Sequence, residues 1–281
     1  MDHWLRKALT AFFLAAACIQ AARAQQDTLR ILAIGNSFSV NALNQNFNEI
    51  AYADGCYVIV GDMYIGGCSL QRHFKNSVED KAAYDYYKRC GVGPMECTKK
   101  FTLEKALADE EWDIVTFQQC SPLSGMYSSY RPYLDSLVRY VRERTGEGVR
   151  LMWHQTWAYE SGATHPNFKD YGCNQHRMFG YIMAASRKCC RKFGFDVIPA
   201  GSAIQNLRLT EIGDGCTLDG FHLNAAGCYT IALAWWGAIS GRDISGNPYS
   251  SPKCSEMECR LARRAAHNAC EEPFRLSDDA F

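Results

Sequence analysis

The stretch LRILAIGNSFSV, residues 29–40, decides the fold. Ile31 to Ile34 is an apolar run too short for a buried helix, and a turn signal bounds it, as in a strand covered on both faces. Gly35-Asn36-Ser37 stops the run. Val40, Leu43, Phe47 and Ile50 then recur at three- and four-residue steps, which is one face of a helix ending at Gly55. A strand that passes through a small polar turn into a helix is the opening unit of a parallel sheet.

The alternation continues along the chain. Strands are expected at Tyr57 to Val60, Asp113 to Phe117, Val149 to Trp153 and Phe195 to Ile198. Helices are expected from Thr102 to Ala108, along the Leu134–Val141 stripe closed by Gly146, along the Met178–Phe193 stripe ended by Gly194, and from Ala225 to Ser240 before Gly241. Short apolar strands between helices predict an α/β fold, a three-layer α/β/α sandwich about a central, mainly parallel five-stranded sheet. In such a sheet the ligand site lies beyond the carboxyl ends of the strands. With 281 residues and 47% hydrophobic content, one domain is the expectation, over residues 25–249. Residues 250–281 read as a polar linker and a Cys-bearing helical appendage.

The first 24 residues read as an export signal. Arg6 and Lys7 precede a short apolar core from Ala8 to Ile19, and Ala22-Arg23-Ala24 forms an A-x-A cleavage site before Gln25. The apolar run falls short of the ~20 residues that span a bilayer. Ala17-Cys18 offers a second reading, a lipid anchor on Cys18. Either way the protein is expected in the periplasm or outside the cell, with no transmembrane span, since the Ala225–Ser240 helix includes Gly227 and Gly237. Lys+Arg and Asp+Glu each number 30, so no basic field exists for a nucleic-acid partner. Of 14 cysteines, Cys90 and Cys97 flank a Gly-Val-Gly-Pro loop and form one plausible disulfide, while Cys254, Cys259 and Cys270 cluster in the tail. No C-x-x-C spacing occurs, so no metal site is expected.

Ser37 stands where a hydroxyl is exposed at a strand exit, with Gly35 behind it and a helix N-terminus at its back. It reads as a helix N-cap or, given a base, as a nucleophile. The base is sought in LDGFHLNAAG, residues 218–227. There Asp219 precedes His222 by three residues, a spacing that lets the carboxylate hold Nδ1–H and leaves Nε2 for a serine.

A serine block after the first strand and a D-x-x-H block near the end together resemble the SGNH (GDSL-like) hydrolase superfamily. IGNSFS stands where that family carries G-D-S-L, with Asn36 replacing the Asp. YIGGCSL, TFQQ, THP and DGFHL together look like an uncharacterised, domain-of-unknown-function branch exported by bacteria that live on complex glycans. The resemblance implies the SGNH fold (flavodoxin-like), Ser37 as nucleophile, His222 as base and Asp219 as its orienting partner. It also implies an oxyanion hole made by the Ser37 amide, the Gly67 or Gly66 amide and one side-chain amide. The family's usual Asn donor is absent, and Gln118 or Gln119 stands in its place, with alternation along a strand letting only one face the site. The implied function is a serine esterase acting on an acyl, acetyl by preference, ester of a small molecule or polysaccharide, with no cofactor.

Trp153, His154, Trp157 and Tyr159 crowd the exit of the fourth strand. His154 and Trp157, with Asn36, are expected to touch substrate, against the plainer reading of core packing. A glycan-binding module of the same fold without turnover is the alternative function. A nucleotide-binding domain is discounted because G-x-G-x-x-G spacing is lacking after the first strand.

Overall fold

The computed structural model describes residues 28–276, so the expected leader and Cys18 lie outside the described residues. Seven strands form one sheet: β1 (Thr28–Gly35), β2 (Tyr57–Tyr64), β3 (Tyr84–Cys90), β4 (Glu96–Phe101), β5 (Ile114–Phe117), β6 (Arg150–His154) and β7 (Asp196–Ile198). Their order is β4-β3-β2-β1-β5-β6-β7. The five expected strands are all present and parallel to one another. The helices are α1 (Ser37–Leu43), α2 (Phe47–Ala53), α3 (Leu70–Val78), α4 (Leu103–Leu107), α5 (Tyr133–Thr145), α6 (Gln175–Phe193), α7 (Ala200–Arg208), α8 (Ala225–Ser240) and α9 (Glu256–Glu271).

The pleat of β1 shows why its apolar run is unbroken. Ile31 and Ala33 point into one core with α1, α2, α7, α8 and α9. Leu32 and Ile34 point into another with α3, α4, α5 and α6. Successive side chains of a strand face opposite ways, so a doubly covered strand must be apolar throughout. The result is the expected three-layer sandwich. The strand order turns back at β1, with β2 on one side and β5 on the other, and Ile34 pairs with Phe117. The exits of β1 and β5 therefore lie side by side at the reversal, where open sheets place their ligand sites.

Two further strands correct the five-strand expectation. β3 runs antiparallel to β2, and β4 antiparallel to β3. Only Tyr84 and Tyr86 of β3 are buried, and β4 is exposed except at Phe101. A half-solvated hairpin alternates polar with aromatic residues and so lacks the apolar run that marks the inner strands. The long first helix is also divided. Asn46 adopts φ 67°, a left-handed conformation that Asn tolerates, and its Oδ1 accepts from the Tyr249 hydroxyl at 3.1 Å. The apolar stripe survives the break: Leu43, Phe47 and Ile50 are all buried.

The tail helix α9 is capped by a reciprocal Ser255–Glu258 box. Its Cys259, Leu261, Ala262 and Ala266 lie in the same core as α8. Cys90 and Cys97, expected to bridge, are separate thiols. The hairpin register places Cys97 opposite Tyr87, three residues from Cys90, a separation of roughly 10 Å along the strand, beyond disulfide reach.

Phe47 meets Trp235 and Trp236 edge-on, with centroids 6.3 and 6.2 Å away. Phe47→Ala is expected to cost about 3–5 kcal/mol, read as a lowered midpoint in chemical unfolding.

Candidate active site

Ser37 opens α1 directly behind Asn36. The Asn36 side chain has two fixed partners: Oδ1 accepts from the Phe38 amide at 3.0 Å, and Nδ2 donates to the Cys68 carbonyl at 3.1 Å. It caps the helix and ties the Ser37 turn to the loop after β2. The expectation that Asn36 touches substrate is corrected by this geometry, since it is buried and both ends of its amide are engaged. Gly35 is required by packing. A Cβ there would fall 2.2 Å from Ser39 Oγ and 3.3 Å from Gln118 Cδ.

His222 meets Ser37 across 185 residues of chain, with Nε2 3.0 Å from Oγ. Its Nδ1 lies 2.7 Å from Asp219 Oδ2. Asp219 Oδ1 accepts from the His222 amide at 2.7 Å and the Phe221 amide at 3.2 Å. Desolvation pushes the Asp219 carboxyl upward, but these amide bonds and the imidazole outweigh it and hold the group below its usual range. The loop reaches this shape through Gly220, at φ +92°, whose carbonyl accepts from the Glu160 amide at 2.8 Å. Asn224 then caps α8 through the Gly227 amide.

Trp157, expected to face a sugar, is 0% exposed. Its ring stacks on Phe38 with centroids 3.8 Å apart and planes 3° from parallel, and its Nε1–H donates to the Phe221 carbonyl at 2.7 Å. Trp157 therefore joins α1 to the His222 loop, and no ring face remains for a ligand. His154 is likewise enclosed and meets Gln118 rather than open space. Both substrate-contact expectations are corrected: the exit of β6 is covered by α8 and the His222 loop, so the aromatic crowding is core.

The two glutamines divide as strand alternation requires. Gln119 Oε1 accepts from the Leu70 and Cys120 amides, and its Nε2 donates to Ser129 Oγ at 3.1 Å. Gln118 keeps an Nε2 with no partner among the described residues. Gly66 and Gly67 are exposed in the loop held by Asn36, and Gly67 sits at φ +61° with open space where a Cβ would be.

A layer beneath the turn was missed by sequence reasoning. Ser39 Oγ lies 2.8 Å from both Asp62 Oδ1 and the Asn36 carbonyl. Burial lifts Asp62 to about 7, against the lowering effect of the Ser39 hydroxyl. The visible signal was a lone carboxylate inside the apolar YVIVGDMY strand.

The fold is similar to that of solved proteins ascribed to the SGNH hydrolases. Similar folds include a protein ascribed to the SGNH hydrolases from Slackia heliotrinireducens, with 20% identity, TM-score 0.54, and 76% of this chain and all (100%) of that one covered. Another is named a GDSL-like lipase, from Parabacteroides merdae ATCC 43184, with 12% identity, TM-score 0.51, and 77% and 97% covered. No curated relative matches the chain. The family described as domain of unknown function DUF4886 matches residues 30–269, and the chain belongs to it. A crystal structure of a DUF4886 family protein from Bacteroides uniformis ATCC 8492 is similar at 45% identity, with TM-score 0.88 and 90% and 98% covered.

Trp157→Phe keeps the stack on Phe38 and removes the bond to Phe221. It is expected to cost about 1 kcal/mol of stability, measured by thermal unfolding. Asp62 gives a pH dependence of defined sign. Its folded value lies above the unfolded one, so its contribution is full near pH 4 and is lost as pH rises through about 7. Asp62→Asn should flatten that decline in melting temperature between pH 4.5 and 8, and an unchanged slope would dismiss Asp62 as its source.

Proposed function

We propose that this protein is an exported serine esterase of SGNH type that hydrolyses an acyl ester, with acetyl preferred, on a carbohydrate. The carrying observation is the continuous hydrogen-bond chain from Ser37 through His222 to Asp219. Asp219 accepts from Nδ1–H, which leaves Nε2 unprotonated to take the Ser37 proton as Oγ attacks the acyl carbon. The tetrahedral oxyanion is received by the Ser37 and Gly67 amides and by Gln118 Nε2. The imidazolium then protonates the departing sugar oxygen. Water, deprotonated by the same imidazole, releases the acid and restores Ser37.

The carbohydrate half of the reading rests on resemblance to the glycan-degrading branch and on the openness of the site. Asp219 is exposed, as are Gly66 and Gly67, and Ser37 and His222 are partly so, which suits an ester displayed on a polymer. Export rests on the leader sequence and predicts a mature protein beginning at Gln25, or at a lipidated Cys18, which N-terminal sequencing and intact mass distinguish.

Acetate release from 4-nitrophenyl acetate and from acetylated xylan tests the reaction. Ser37→Ala is expected to lower turnover by about 10³-fold or more while leaving the melting temperature near wild type. A wild type that turns over neither ester and leaves Ser37 unlabelled by a fluorophosphonate would favour the non-catalytic glycan-binding reading.

A further inference from the structure

Gln118, one residue beyond β5, and His154, the last residue of β6, meet in the dry layer under the nucleophile turn. Gln118 Oε1 lies 2.5 Å from His154 Nδ1, and the two residues are 1% and 0% exposed. That contact fixes the chemistry of both. A glutamine oxygen only accepts, so Nδ1 carries the proton. Burial drives the imidazole down to about 3, so the ring is neutral across the working pH range. A neutral ring has one N–H, so Nε2 is bare. It is indeed without a partner among the described residues, in a ring whose centroid lies 4.9 Å from that of Trp235, edge to face at 72°.

With its carbonyl held, Gln118 has only one orientation for its amide. The Nε2 hydrogens point away from His154 and also find no acceptor among the described residues. A buried donor left open costs about 1–3 kcal/mol and calls for an explanation in a folded protein. A site where negative charge appears during reaction supplies one, because a dry, pre-aimed donor acts there without reorganisation. The amide lies against the nucleophile turn, its Cδ 3.3 Å from where a Gly35 Cβ would be.

We propose that His154 is a positioning residue whose Nδ1–H holds the Gln118 carbonyl, so that the amide nitrogen and not the oxygen faces the oxyanion formed at Ser37. This rests on the esterase reading above. The reversed amide would set an acceptor against the developing charge, and it would need the other imidazole tautomer, with the proton on Nε2.

The test is a double-mutant cycle of Gln118→Ala and His154→Phe. It is read by kcat and KM on 4-nitrophenyl acetate and by the rate at which a fluorophosphonate labels Ser37. Each single variant should lose on the order of 10²-fold in kcat, the scale of one oxyanion donor, with KM unchanged. The double variant should fall within about twofold of Gln118→Ala, since both act through one amide. His154→Asn, whose Nδ2 reaches the place of Nδ1, should recover most of the rate. Losses that add, or that follow melting temperature, would overturn the proposal. A second readout needs no turnover: the histidine 15N spectrum of the wild type should show His154 protonated on Nδ1 and unchanged from pH 5 to 9. An Nε2-protonated or titrating ring would overturn the proposal regardless of kinetics. Retention of full activity in Ser37→Ala would instead sink the esterase reading, and the spectrum would still decide the tautomer.

Discussion

The meeting of Ser37 and His222 depends on one side chain that is itself fully buried. Trp157 lies flat on Phe38, the residue after Ser37, and its indole N–H holds the carbonyl of Phe221, the residue before His222. Ser37 and His222 are brought to 3.0 Å by elements 185 residues apart, and hydrogen bonds of that kind weaken steeply with small displacements. A rigid aromatic plate that fixes one neighbour of each partner is an economical way to hold such a distance. Leu223, on the far side of His222, is held too, through its amide to Asn41 Oδ1 on α1. The loop is thus attached to α1 before and after its histidine.

Polar atoms beneath the turn extend this arrangement downward. Asn36, Ser39, Asp62, Gln118 and His154 form a buried layer under an open rim of Gly66, Gly67 and Asp219. The layer is expensive to desolvate, and its members are held by short bonds to one another or to backbone. Its neutral imidazole and its lifted carboxyl share one cause, the loss of water. The exposed Asp219 behaves oppositely, because donors surround it faster than burial raises it.

The architecture was legible wherever a physical demand left a local pattern. A doubly covered strand must be apolar throughout, so β1, β2, β5, β6 and β7 could be read from their runs, and Ser37 from its place at a strand exit. Asp219 and His222 were legible because three residues of spacing suffice to join a carboxylate to an imidazole. Burial is a different kind of property. Whether Trp157, His154 or Asn36 faces a ligand or a neighbour depends on which distant segment covers it, and nothing within ten residues records that. The β3–β4 hairpin escaped for a related reason, since pairing energy in an edge hairpin resides in backbone bonds that every sequence offers.

That same hairpin bears on how copies of the protein meet. A free sheet edge is a row of unpaired amides and carbonyls ready to accept another strand. Here one rim is β4, whose exposed Glu96, Lys99 and Lys100 would bring charge against any incoming chain, and the other is β7, only three residues long. Neither rim is a template that a second sheet could extend. Association between molecules is thereby directed to helical faces, and the central sheet stays the property of a single chain.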